Sequence, residues 1–164
     1  MSSKRLPGVD RKEFTRACGR FATGVTVASV RDAAGTPHGL TVNSFTSVSL
    51  DPPLILVCLG HEASVIEHFR NTSFFGISIL ADSQRSLSDH FARKGHDRFD
   101  GVEWHPGSTG VPLLQGAVAS IECSLYNQLG VGDHDIFVGE VVHTHVQDDT
   151  HPLLYFASRY RHLG

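Results

Sequence analysis

Long apolar runs are missing from this sequence of 164 residues. The longest, residues 54–59, is far short of the roughly 20 apolar residues that cross a bilayer, so no membrane partner is expected. Cysteine is scarce. Cys18, Cys58 and Cys123 are odd in number and far apart, and no CxxC pair exists. This excludes a disulfide scaffold, a thioredoxin-type dithiol and a cysteine zinc site. Cys18 and Cys58 sit in apolar patterns and read as small core residues. A surplus of positive charge is lacking too: Lys+Arg 14 against Asp+Glu 17 gives a net charge of −3. No global field then draws nucleic acid or anionic lipid, and an anionic ligand needs a local cationic pocket. Residues 1–7 have no apolar core behind their basic pair, so export is not expected and a reducing cytoplasm is the natural compartment.

The motifs of several chemistries are absent as well. There is no nucleophile elbow, HExxH or P-loop. Gly130-x-Gly132 lacks the third glycine of a dinucleotide fingerprint, has Asp135 in its place, and lies between two strands. It reads as a hairpin turn. Histidines number 11, and His143 and His145 share one strand face, but no third ligand is placed by sequence and no metal is expected. Hydride transfer makes smaller demands on side chains, because cofactors carry the chemistry and the protein holds two rings in contact.

What is present is mostly strand. Asp10, with Glu13 three residues on, caps a predicted helix whose Phe14, Ala17, Cys18 and Phe21 form a face to be buried. Residues 25–30 are β-branched and extended, residues 32–35 turn, and residues 38–43 return. Residues 44–50 stay extended until Asp51-Pro52-Pro53, because proline cannot donate to a ladder. Residues 54–59 and 74–80 are further strands, with a short helix over residues 64–69 between them. Ser83 is the expected cap of a second good helix through Leu87, His90 and Phe91. A charged loop at residues 93–98 follows, and residues 107–112 are loop. Residues 117–126 and 136–146 form two long strands around a turn at residues 130–133, and residues 153–156 form the last. No repeat or linker divides residues 1–164, so one domain is expected: mainly β, an antiparallel barrel with few helices.

Thr41-Val42-Asn43-Ser44-Phe45-Thr46-Ser47 packs short polar side chains into a segment bounded by strand. A flat, polar heterocycle needs such groups, although a polar bend satisfying its own backbone has the same composition. Arg93, Lys94 and Arg98 form either a phosphate clamp or a solvated cluster.

Four blocks carry a resemblance over nearly the whole chain. They are Phe21-Ala22-Thr23-Gly24-Val25-Thr26-Val27, Asn43 through Leu54 with its double proline, Gly132-Asp133-His134 with Phe137-Val138-Gly139-Glu140, and Pro152-Leu153-Leu154-Tyr155-Phe156. They resemble the short-chain flavin reductases, the reductase partners of two-component flavin monooxygenases. The resemblance implies an antiparallel Greek-key split β-barrel, usually a homodimer, that reduces FMN or FAD with NADH or NADPH for a partner monooxygenase. It places Val42, Asn43, Ser44, Phe45, Thr46 and Ser47 against the flavin ring, with Cys58, Leu59 and Gly60 lining it from the next strand. Ser64 meets the phosphate end; Phe91, Ala92, Arg93, Lys94 and Phe99 complete the pocket. His134 faces the nicotinamide, as does Tyr160. Val42 stands where the family often has alanine, and Ser158 where many relatives have glycine. The alternative expectation is a split barrel with fixed FMN, either an oxidase or a redox carrier without catalysis.

Overall fold

The computed structural model describes residues 8–95 and 97–163; the residues read for export (1–7) and His96 of the charged loop lie outside them. Helix α1 (Arg11–Cys18) starts at Asp10, whose carboxylate accepts from the Lys12 and Glu13 amides, so the predicted cap forms. Strands β1 (Thr23–Gly24), β2 (Thr26–Arg31), β3 (Pro37–Val42), β4 (Thr46–Leu50) and β5 (Pro53–Gly60) follow. Helix α2 (Ile66–Arg70), strand β6 (Phe74–Ile79), a tight turn (Asp82–Gln84) and helix α3 (Arg85–Ala92) come next. The remaining strands are β7 (Trp104–Pro106), β8 (Pro112–Leu114), β9 (Ala119–Val131), β10 (His134–Val146), β11 (Leu154–Phe156) and β12 (Arg159–Arg161).

Seven strands form one antiparallel sheet in the order β3-β2-β6-β9-β10-β5-β4. Its two edges, β3 and β4, are consecutive in the chain and separated only by residues 43–45. Four residue steps reach at most about 14 Å, whereas seven flat strands would put the edges about 29 Å apart. The sheet must therefore curl until its edges nearly meet. The result is a split barrel, and the split lies at residues 43–45.

Side-chain alternation packs the wall. β5 turns Ile55, Val57 and Leu59 inward and leaves Leu56, Cys58 and Gly60 half-exposed. β2 is covered on both faces: Ala28 and Val30 join Phe69, Phe75 and Phe137 inside the barrel, and Val27 joins Phe91, Phe99 and Leu153 under α3. At Gly139 a Cβ would lie 2.5 Å from both the Cys123 Cβ and the Phe75 ring, so this position admits no side chain.

Several local expectations fail, each for a physical reason. α1 buries no residue; Phe14 and Cys18 are exposed and Phe21 is 78% exposed, because nothing among the described residues covers that periodic face. Cys58 is half-exposed on the outer face of β5, and Cys123 is the buried thiol. Ser83 does not cap α3; the Gln84 side chain accepts from the Ala81 amide instead. The loop expected at residues 107–112 forms up to Pro112, but the small hairpin that it connects, β7–β8, was not expected. The β9–β10 ladder runs further than expected, pairing Gly130 and Val131 with Asp135 and His134, so the turn tightens around Gly132, whose φ is +64°. β12 returns onto β11, which also pairs with β1.

Candidate functional site

Residues 43–45 belong to no strand, so their amides and carbonyls stand outside the ladder at the split. One side chain anchors them. The Ser44 hydroxyl donates to the Cys58 carbonyl at 2.9 Å and accepts from the Cys58 amide at 3.0 Å. It thus replaces the pair of bonds that a strand residue would exchange with β5. Ser44 holds the segment in place; Asn43, left exposed, is the group free to recognise a ligand. Phe45 packs against the barrel core, while Thr46 and Ser47 are exposed at the start of edge strand β4.

A cavity of about 220 Å³ opens beside this segment, lined by Thr41, Val42, Asn43, Ser88, Ala92, Tyr155 and Tyr160. Its far wall is a polar network. The Tyr160 hydroxyl donates to Asp89 Oδ1 at 2.9 Å and lies 2.8 Å from Ser88 Oγ, and Thr41 donates to the Ser88 carbonyl at 2.7 Å. Burial, helped by the Asp89 carboxylate, holds the Tyr160 phenol above its ordinary pKa, so it remains a donor. Arg85 lies 5.1 Å over the Tyr160 ring, and Tyr155 meets it edge-on at 5.5 Å. The turn that delivers Tyr160 carries Ser158 at φ +61°, the left-handed region that glycine occupies without strain.

A second cavity, about 350 Å³, is lined by His38, Gly39, Ser64, Asp97, Arg98 and Phe99 among others. Residues 37–39 border this cavity and residues 41–43 the first, so together they follow the edge strand for about 20 Å. Arg98 is not a free cation for either. It is buried, donating Nε to the Arg93 carbonyl and Nη1 to the Gly39 carbonyl, both at 2.9 Å. It rivets the 93–98 loop to β3 and leaves Arg93 and Lys94 exposed.

His134 opens β10 directly opposite Gly60. Its Nε2 lies 3.6 Å from the place a Gly60 Cβ would occupy, and its Nδ1 is 2.7 Å from Asp133 Oδ1. That bond holds the Asp133 carboxyl below the usual range. Gly60 is two residues, about 7 Å, from Cys58 on the same face of β5, so His134 stands next to the anchored segment. Behind it, the buried Asp135 carboxylate receives Arg70 Nε at 2.7 Å, His61 Nε2 at 2.9 Å and Gln128 Nε2 at 3.2 Å. The Arg70 bond above all keeps Asp135 ionised, below its ordinary pKa. This clamp ties β9, β10, α2 and the residue after β5 together under His134.

The structure thus brings Val42, Asn43, Ala92 and Tyr160 to the first cavity, and Ser64 with Phe99 to the second. Ser44, Thr46, Ser47, Cys58, Gly60 and His134 lie along the split between β3, β4 and β5. Leu59 and Phe91 correct the sequence reading: their side chains are fully buried, Leu59 inside the barrel and Phe91 against Phe99 at 5.0 Å, so they shape the wall from behind. Thr41, Ser88, Asp89 and His38 were missed. Thr41 stood within the polar stretch, but nothing in the sequence places α3 beside it.

The donor set of amide, hydroxyls, backbone groups outside the ladder and aromatic edges suits a flat, polar ring. The first cavity is smaller than the roughly 300–1,000 Å³ of drug-sized pockets. A curled antiparallel sheet whose edges nearly meet, with cavities beside the opening, defines the split-barrel class. The chain belongs to the flavin reductase like domain family, whose model matches residues 18–164. It is 40% identical to the Streptomyces globisporus NADH:FAD oxidoreductase solved with NAD and FAD fragments (TM-score 0.90, covering 94% of this chain and 93% of that one). It is 38% identical to the styrene monooxygenase flavin reductase of Pseudomonas putida S12 (TM-score 0.85, 93% and 97% covered). A probable flavin reductase of Rhizobium meliloti strain 1021 is 46% identical over 80% of this chain, which spans 42% of that longer protein. Among the described residues no helix is long and apolar enough to cross a membrane.

Proposed function

We propose that this chain is an NAD(P)H:flavin oxidoreductase that reduces FMN or FAD and supplies the reduced flavin to a partner monooxygenase. The observation that carries the reading is the break in the barrel wall at residues 43–45, where the Ser44 hydroxyl tethers backbone outside the ladder beside a cavity. The named activities of the Streptomyces and Pseudomonas relatives support the hydride donor, the flavin and the partner class.

When bound, the flavin and the reduced nicotinamide supply the hydride acceptor and the hydride donor. This chain's residues bind and align them. Asn43 and the amides of residues 43–45, with Thr46 and Ser47, bond the polar edge of the ring and favour its reduced, more negative form. Val42, Cys58 and Gly60 offer the apolar contact. Ser64, Arg93 and Lys94 hold the phosphate, the two cations being exposed and free to swing. His134 would seat the nicotinamide against the ring, with Tyr160 closing the far wall, so that the hydride-donating carbon of the nicotinamide would face the accepting nitrogen of the flavin.

The chain works as a homodimer. Leu50 is 96% exposed on edge strand β4, beside the exposed Val48, and a second copy would cover these side chains. Free thiols and a nicotinamide substrate fit a cytoplasmic setting.

The assay is direct. Purified chain mixed with NADH or NADPH and excess FMN or FAD should consume reduced nicotinamide over many turnovers per protein. Flavin that stays bound and is inert to both nicotinamides contradicts the reductase reading and favours a fixed-flavin protein.

A further inference from the structure

Three side chains with no role so far converge at the far end of β3. Asp32 comes from the turn after β2, His38 from β3 and His68 from α2. One ligand atom from each lies within 4.8 Å of the other two. The imidazoles of His38 and His68 stack with centroids 3.6 Å apart and planes 8° from parallel. His38 Nε2 is 2.9 Å from Asp32 Oδ2. The carboxylate is aimed by its own turn: Oδ1 accepts the Ala34 amide at 3.0 Å and the Thr36 amide at 2.8 Å, which leaves Oδ2 to the histidines. All three residues are half-buried, reachable from solvent yet fixed by different elements.

We propose that Asp32, His38 and His68 form a binding site for a divalent transition ion of the zinc class, with a fourth position left to water. Two imidazoles and one carboxylate suit Zn²⁺, Co²⁺ or Ni²⁺, while Mg²⁺ and Ca²⁺ prefer shells of oxygen. The stacked pair is the metal-free arrangement. An ion must lie near the plane of each ring it binds, which two parallel rings at this spacing cannot both allow. Binding therefore turns the rings out of parallel about their χ2 bonds, while the turn-anchored carboxylate stays. A bound ion ties the β2–β3 turn and the edge strand to α2, at the cavity that His38 shares with Ser64 and Phe99.

A second histidine group provides the control. His105, His143 and His145 border a cavity with Glu122, but that carboxylate already accepts from the Ser108 amide and from the amide and hydroxyl of Thr109. It has no oxygen lying free for an ion.

The test is a cobalt titration of purified chain carrying no affinity tag. Visible Co²⁺ absorption should appear, saturate at one equivalent and vanish on adding one equivalent of Zn²⁺. His68→Gln and Asp32→Asn should each weaken Co²⁺ binding by about tenfold or more. The double variant His143→Gln with His145→Gln should leave it unchanged. Circular dichroism reports folding, and if Asp32→Asn loosens its turn, His68→Gln decides alone. Absence of a saturable band, or equal affinity in His68→Gln, overturns the proposal.

Discussion

The middle of β10 and the 43–45 segment both belong to the barrel wall, yet opposite rules build them. Around Phe137 and Gly139, β10 is paired on both sides, to β9 and to β5, and leaves no room for one added carbon. Residues 43–45 lie outside the ladder and are held by the Ser44 hydroxyl and by Phe45 against the core. One region commits its backbone to two ladders, irregular only at Val138–Gly139, and its apolar side chains to packing. The other leaves backbone groups and the Asn43 amide outside the ladder. Stability and binding are thus carried by separate stretches of one sheet, and substitutions in the two regions should add rather than couple.

The largest effect should come from the tight side. Gly139→Val forces a branched side chain into Cys123 and Phe75, and overpacking of this kind costs about 1–3 kcal/mol or more. Urea unfolding should show a much lower midpoint, while the protein that remains folded keeps its flavin affinity. A parallel loss of affinity would show that the two regions are not separate.

Asp135 lies at the boundary, at the start of β10 with a fully occupied carboxylate. Its pKa is depressed in the folded state, so its stabilising contribution is complete above the ordinary carboxylate pKa of about 4 and is lost as pH falls below that. Asp135→Asn should unfold more easily at pH 7, by about 1–3 kcal/mol, and should lose less further stability between pH 5 and pH 3 than the parent. Stability curves of equal slope would contradict the clamp.

On the open side the pattern reverses. Asn43→Ala should weaken flavin binding about tenfold, or about 1.4 kcal/mol, while stability moves by less than about 0.5 kcal/mol. Fluorescence titration and urea unfolding of the same sample separate the two. His134→Ala should raise the KM for NADH by roughly threefold to tenfold, on the scale of one lost polar contact, and shift flavin affinity by less than about twofold. Equal losses for both ligands would remove its assignment to the nicotinamide.

Much of this architecture was legible before the fold. Composition and punctuation located β2 to β6 and the β9–β10 hairpin, because β-branched and apolar runs favour strands and prolines and turn residues end them. The segment at 42–47 stood out because Asn, Ser and Thr are packed between such runs. The roles inside it were not legible. Ser44 and Asn43 are adjacent polar residues, and only the pairing of β4 with β5 shows that Ser44 is consumed by Cys58 while Asn43 is free. Arg98 and Lys94 likewise sit in one charged loop, but the bond from Arg98 to the Gly39 carbonyl depends on α3 packing over β3. Leu59 and Cys58 differ by one position in an apolar run, and their opposite faces follow from register. The periodic face of α1 was read as core, since periodicity marks a surface to be covered without saying by what.

Diffraction from a crystal soaked with FMN tests the central claim most directly. The tricyclic ring should lie against residues 42–47 and enter the cavity between Asn43 and Tyr160. Ring density at any other place, with that segment left facing solvent, would contradict it.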